Sequence, residues 1–440
     1  MRKPTENIQT FLQRRIRLSK QMQGSALIVC SHPEQLRNSD VGFAYRQDSN
    51  LYYLTGFEEP ESVLLFRPGM NPETVMFVRK RDKERETWDG FRFGPEGVEK
   101  NFGIDKVYPI EEFEAQAPVL LKGVESLYYR LFKHPEWDHK VQKVLQTLST
   151  NQGRTGYGLL PIYDADTLLG EMRVIKTEEE LKNIRIACDI SSEAHIAAMR
   201  FVKPGVNERQ VQAVILHNFL MRGAAREGYN AIVASGNSAT TLHYNFNDQD
   251  CKNGDLLLID AGGEYNYFTS DITRTFPVSG KFSDEQALVY EGVLNVQKEI
   301  MNFIKPGVLF KELQDMGVSL LTDLILELGL MTGTKDAIIE ASQHKRFYPH
   351  GIGHWLGMDV HDAGLYYKKG APRAIEENMV FTIEPGLYIP ADDELAPKKF
   401  RGIGVRIEDN LRVTQTGIEN LTLKCPKEIA DLEMIIGQHN

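Results

Sequence analysis

Five side chains in the C-terminal half of this 440-residue sequence have the types and contexts to do chemistry: Asp260, Asp271, His354, Glu384 and Glu408. Each sits in a segment that reads as a strand or a tight Gly-rich turn. Four carboxylates and one imidazole are too many donors for one open metal position. They suit two hard divalent cations that share carboxylates, an arrangement built to deprotonate a water. Each acid also has a plainer reading. Asp260 follows the apolar run LLLI and precedes AGG, where an Asp serves as a turn former. Asp271, in SDITRTF, has Arg274 nearby as an ordinary salt-bridge partner. Glu384 lies between VFTI and Pro-Gly, and Glu408 lies in the alternation VRIED. A carboxylate at the buried end of a strand is costly unless it is paired or holds a cation. Four of them together, all in strand contexts, call for cations.

His354 belongs to HGIGHWLGMDVHD, with further histidines at His350 and His361. The spacing of His350 and His354 imitates the helical pair of a zinc protease, but Gly351 and Gly353 lie between them and no Glu follows His350. A Gly-rich strand or turn fits instead, its glycines letting backbone approach closely. One imidazole among four carboxylates favours manganese or cobalt over a structural zinc, which prefers nitrogen and sulfur.

The elements that must position these groups repeat. Thr177 and Glu180 form a capping box, after which Leu181, Ile184, Ala187, Ile190, Ala194, Ala197 and Phe201 recur at helical spacing. Lys203-Pro204-Gly205 ends that helix, and NERQVQAVILHNFLMRG continues as a second. The plan then returns: Ser283 and Gln286 form another capping box, a long amphipathic stretch follows, and Lys305-Pro306-Gly307 ends it. Val206 and Val308 follow the two tripeptides, and Gln212 and Gln314 occupy matching places beyond them. Each half then supplies two acids from strand-like segments, Asp260 and Asp271 from the first, Glu384 and Glu408 from the second. This is the pattern of an internal duplication about a pseudo-two-fold axis.

The first third is different. ALIVC, SVLLF and TVMFV read as buried strands among helical patches such as EFEAQAPVLLKGV, an α/β domain over residues 1–172. The stretch 151–170, rich in Gly and polar residues, reads as a linker, and the catalytic domain occupies 173–440. Hydrophobic content of 42% and charged content of 25% are those of a soluble globular protein. A net charge of −10, with no basic block, argues against nucleic acid or an anionic membrane as partner. Cys30, Cys188, Cys251 and Cys425 are scattered without paired spacing, as expected for reduced thiols. The charged N-terminus lacks a signal peptide's apolar core, and no apolar run reaches the ~20 residues of a membrane span, so a cytoplasmic location is expected.

DAGGEYNYFTSDITRTFPV, HGIGHWLGMDVHD, TIEPGLYI and GIGVRIEDN together resemble the creatinase/methionine-aminopeptidase superfamily, whose catalytic domain has the pita-bread fold. Within it the chain is similar to the bacterial Xaa-Pro aminopeptidases (aminopeptidase P), and YRQDSNLYYLTGFEEPESVLLF resembles the N-terminal domain of that group. The resemblance implies a creatinase-like α/β N-terminal domain and an α+β pita-bread domain. It makes Asp260 the ligand of one metal, Asp271 and Glu408 bridges between two, and His354 and Glu384 ligands of the second, with manganese preferred and cobalt or zinc as alternatives. It implies that His243 and His361 contact substrate or the reacting centre, and that Glu384 passes the proton to the leaving nitrogen. It also places His350 near the proline pocket, with Tyr388 and Arg406 flanking the site. A hydroxide bridging two cations would attack the bond before a second-position proline. The partners implied are such peptides, with a dimer or tetramer of the chain itself, to which Trp88 could contribute. A prolidase has the same five ligands but would need a basic group for a dipeptide's carboxylate. A methionine aminopeptidase needs no N-terminal domain, a creatinase lacks this acid set, and a non-catalytic binding module would have lost ligands.

Overall fold

Every residue of Val63–Phe66 and Thr74–Val78 is buried, so these strands need cover on both faces. They lie side by side in a six-stranded mixed sheet, ordered Lys106–Pro109, Thr74–Val78, Val63–Phe66, Ser25–Cys30, Ser126–Tyr128, Ile162–Tyr163. Helices Phe113–Leu120 and Pro135–Thr155 supply part of that cover, packing Phe113, Ala117, Val141 and Val144 with Val75 and Phe77 in one core. The computed structural model describes residues 7–437 and divides into two units, the first ending at Met172 and the second beginning at Arg173.

The linker expected at 151–170 is largely regular structure. Asn151 to Thr155 finish helix Pro135–Thr155, Ile162–Tyr163 is the edge strand paired with Ser126–Tyr128, and Ala165–Val174 is helical. The glycine signal belongs to the helix end: Gly156 caps it at φ +75°, a left-handed conformation that favours glycine. Trp88 lies on helix Lys83–Asp89 with 81% of its surface exposed, so it is not a core side chain.

In the second unit both capping boxes form, starting helices Glu178–Phe201 and Asp284–Phe303. Leu181, Ile184, Ala187 and Ala194 are fully buried, while Ala197 and Phe201 are half-buried. Helices Glu208–Met221 and Phe310–Glu327 follow the two Lys-Pro-Gly turns. The duplication extends to single hydrogen bonds. Gly205 N–H donates to Cys251 O (2.8 Å) and Gly307 N–H to Ile375 O (2.9 Å). Cys251 N–H returns a bond to Val206 O and Ile375 N–H to Val308 O, at 2.8 and 2.7 Å. Glu208 N–H and Phe310 N–H complete the sets on Gln249 O and Arg373 O, each at 2.9 Å.

Strands lie between these helices. One sheet is ordered Ile232–Ser235, Leu256–Asp260, Thr273–Pro277; another is Val380–Ile383, Asp409–Val413, Ile418–Asn420; Gly386–Ile389 pairs with Ile403–Arg406. An isolated antiparallel bridge between Thr273 and Glu408 joins the two halves. Of the four acids expected on strands, only Asp260 is in one, as its last residue. Asp271, Glu384 and Glu408 occupy the joints just before or after a strand. A joint lets a side chain leave the sheet and point along its end, which regular alternation forbids.

Candidate metal centre

Each joint is held through its own backbone by hydrogen bonds to another segment. Asp271 N–H donates to Asn410 Oδ1 at 2.9 Å, and Asn410 Nδ2 returns a bond to Asp271 O. Glu408 N–H donates to Thr273 O (3.1 Å) and Glu384 N–H to Ile352 O (2.9 Å). His354 runs beside Val380–Ile383: its N–H donates to Thr382 Oγ1 (3.0 Å), and Thr382 N–H donates to His354 O (2.9 Å). Gly353 makes this approach possible, since a Cβ there would lie 1.9 Å from Thr382 O.

These placements converge. His354 Nε2 lies 3.3 Å from Asp271 Oδ2, 3.5 Å from Glu384 Oε1 and 4.0 Å from Glu408 Oε1. His354 Nδ1 is 3.1 Å from Trp355 O, which accepts only a proton-bearing nitrogen. With Nδ1 committed to that carbonyl, Nε2 is the nitrogen turned to the acids, the one a metal would take in place of a proton. One ligand atom from each of Asp271, His354 and Glu408 falls within 4.8 Å of the others. Tyr229 joins Asp260 to this group, its hydroxyl 2.5 Å from Asp260 Oδ1 and also bonded to Asp271 Oδ1.

Charge is far from balanced. Arg406 Nη2 donates to Asp260 Oδ2 at 2.6 Å, and although burial alone would raise Asp260, Arg406 holds it below the usual range. The other acids lack such a partner. Burial pushes Asp271 up, as does the charge of Asp260. Burial and the charges of Asp271 and Glu384 push Glu408 well up, and burial above all lifts Glu384 to about 7. His354 rises to about 9, since its bond to Asp271 and the charge of Glu384 outweigh burial. Glu408 Oε2 accepts from Thr273 Oγ1 (2.7 Å), but Oε1 is buried without a hydrogen bond among the described residues. An orphaned carboxylate oxygen, three further acids and an imidazole whose Nε2 faces them form a donor set suited to positive charge. The residues present fit two divalent cations.

Above the acids is a cavity of about 350 Å³ whose walls include His243, His350, His361, Ile232, Leu242 and Val360. The rings of His361 and His354 are 4.3 Å apart. His350 Nε2 is 2.7 Å from Tyr388 Oη, and its Nδ1 is 2.8 Å from Gly351 O. Arg406 Nη1 donates to that hydroxyl at 3.0 Å, so the hydrogen bonds run from Arg406 to Tyr388 to His350. Burial, with Arg406 nearby, holds His350 down to about 4, so it is the neutral acceptor. Tyr388 is expected to flank the site. It is buried and is not among the residues lining the cavity; it stands behind His350. Arg406 reaches the cavity, but its guanidinium is committed to Asp260, Thr273 and Tyr388. Arg274, offered as a partner for Asp271, pairs with Asp409 instead. Sequence reasoning missed Tyr229, Asn410, Thr273 and Thr382. Thr273, Thr382 and Asn410, each two residues from a singled-out acid, carried a positional signal; Tyr229 did not.

Comparison with known proteins agrees with this construction. Residues 182–415 match the metallopeptidase family M24, and residues 11–128 match the aminopeptidase P N-terminal domain. An Xaa-Pro aminopeptidase of Haemophilus influenzae is 41% identical over 429 residues, 97% of each chain. The structure is similar to that of Pseudomonas aeruginosa aminopeptidase PepP, with TM-score 0.94 and 41% identity over 98% of each chain. It is also similar to zinc-substituted Escherichia coli aminopeptidase P in complex with product, with TM-score 0.92 and 37% identity over 98% of each chain.

Proposed function

This chain belongs to metallopeptidase family M24, and from that premise we propose that it is an Xaa-Pro aminopeptidase, releasing the N-terminal residue of peptides whose second residue is proline. The fold expected from the resemblance, an aminopeptidase P N-terminal domain before a pita-bread domain, is the one observed. The observation that carries the function is the convergence of His354 Nε2 and Asp271, Glu384 and Glu408 at the floor of a histidine-lined cavity.

Asp260 would hold one cation, Asp271 and Glu408 both, and His354 and Glu384 the second. When bound, the cations supply Lewis acidity, lowering a water's pKa towards ~7 and polarising the scissile carbonyl. The remaining work falls to side chains. Glu384, steadied by Thr382 Oγ1 at 3.3 Å, is placed to take a proton and deliver it to the prolyl nitrogen as that bond breaks. His361 and His243 face the cavity and offer N–H donors to the scissile carbonyl oxygen. His350, fixed by Tyr388, borders the space for the proline ring. Proline demands a dedicated pocket because its tertiary amide has no N–H and its φ is fixed.

Manganese is the favoured metal on donor chemistry, with cobalt or zinc able to replace it. No helix among the described residues is long and apolar enough to cross a membrane, and all four cysteines are free and buried; both support a cytoplasmic enzyme. Exposed Trp88 supports a homo-oligomer, dimer or tetramer. Substrate length tests the function: with Mn²⁺ the enzyme should release arginine from a peptide beginning Arg-Pro-Pro. Turnover confined to the dipeptide Gly-Pro would make it a prolidase, and no turnover of either would make it a binding module.

A further inference from the structure

His361 is the histidine whose ring lies beside His354, yet no hydrogen bond holds that ring among the described residues. Its aim is set by the backbone of its own turn, Gly357 to Asp362. That turn is closed by Asp362 N–H donating to Trp355 O at 2.8 Å, the same carbonyl that fixes the His354 tautomer. The Asp362 carboxylate is the anchor. Its side chain is 1% exposed and lies against Gly357, where a Cβ would sit 2.2 Å from Asp362 Oδ2.

Two buried cations grip it. Arg173 Nη2 donates to Asp362 Oδ1 and to Asp359 Oδ2 (2.6 Å), and Lys176 Nζ donates to Asp362 Oδ2 at 2.9 Å and to Arg173 O at 2.7 Å. The Arg173 and Lys176 side chains are 3% and 2% exposed. Their positive charges meet the negative charges of Asp359 and Asp362. Buried ion pairs seldom raise stability over a well-packed apolar core, but they fix one geometry. Here that geometry is the turn carrying His361 into the cavity.

We propose that Arg173, Lys176 and Asp362 are positioning residues that act through His361, setting how its ring meets the scissile group. The inference rests on the role assigned to His361 above. Displacing a catalytic group by about 1 Å costs on the order of 100-fold in rate. A loosened turn should cost kcat and leave metal binding intact.

The test is a double-mutant cycle in the Mn²⁺-loaded full chain. The charge-balanced pair Lys176→Met with Asp362→Asn is made in the wild type and in His361→Ala, with kcat, KM and bound manganese measured for each. Lys176→Met alone serves if the pair does not fold. The expected result is a kcat loss of about tenfold or more in the wild-type background, with bound manganese unchanged and less than about twofold further loss in His361→Ala, since residues acting as a unit are not additive. Equal losses in both backgrounds, lost manganese or undiminished kcat would overturn the proposal. If His361→Ala itself leaves turnover unchanged, the functional reading of His361 falls, and the proposal with it.

Discussion

Glu408 and Asp409 are neighbours in the chain and equally buried, yet they live in opposite electrostatic worlds. Asp409 accepts from Arg274 Nη2 (2.7 Å), Lys427 Nζ (2.5 Å) and Thr422 Oγ1 (2.7 Å). Burial would raise its pKa, but Arg274 and Lys427 hold it far below the usual carboxylate range. Glu408 faces Asp271 and Glu384, keeps one oxygen orphaned and is pushed well up. Strand Asp409–Val413 begins between them, and consecutive residues there point to opposite sides. One side is paid for within the protein; the other is left open for ions. Burial alone therefore does not mark a functional acid. What marks Glu408 is burial without a protein counter-charge.

The sharpest way to break this contrast is to remove one of the open acids. Asp271→Ala should abolish both manganese binding and turnover, a loss well beyond the roughly 10–100-fold of an outer-shell change. Retained activity would refute its shared role. Next, Asp409→Asn should destabilise the fold by about 3–5 kcal/mol, because Arg274 and Lys427 are left buried with less to neutralise them. In chelated protein Glu408→Gln should cost no stability, since it removes a repelled charge; denaturant melts of the two variants measure the difference. Arg406→Met removes the guanidinium on the open side. It should lower kcat/KM by about 10–100-fold through a loosened Asp260 and Tyr388.

Smallest, and opposite in sign on the two sides, is the pH dependence. Asp409, depressed in the fold, contributes stability that is present above the ordinary carboxylate pKa of about 3.9 and lost as pH falls below it. Glu384 is raised to about 7, so the native state of chelated protein binds extra protons there. Relative to Glu384→Gln, the chelated protein should gain stability as pH falls from about 7 towards about 4. In that difference the opposite contribution of His350, held down to about 4, cancels. Below that pH both proteins should lose stability as Asp409 is protonated. Denaturation of chelated protein across that range checks this, and manganese should erase the upper limb.

The five donors were legible because each stands beside an apolar run or a glycine turn where a charge is out of place. The duplication was legible from its punctuation, capping boxes and Lys-Pro-Gly. Tyr229 was not, because its partners Asp260 and Asp271 lie 31 and 42 residues away and nothing in its own segment marks it. The joints at Asp271, Glu384 and Glu408 were hidden too: alternation looks the same up to the residue where a strand breaks. Arg274 was assigned to the nearer acid in sequence, while in the fold its guanidinium meets Asp409 at 2.7 Å. The supposed linker was misjudged because exposed helix ends are as polar as loops.

The central claim is that the open side of this contrast is a two-cation centre. Its most direct test is calorimetric titration of chelated protein with Mn²⁺, with release of arginine from an Arg-Pro-Pro peptide followed in parallel. Two equivalents per chain should bind, with activity appearing as the site fills. Full activity in the chelated protein, or saturation with no manganese bound, would contradict it.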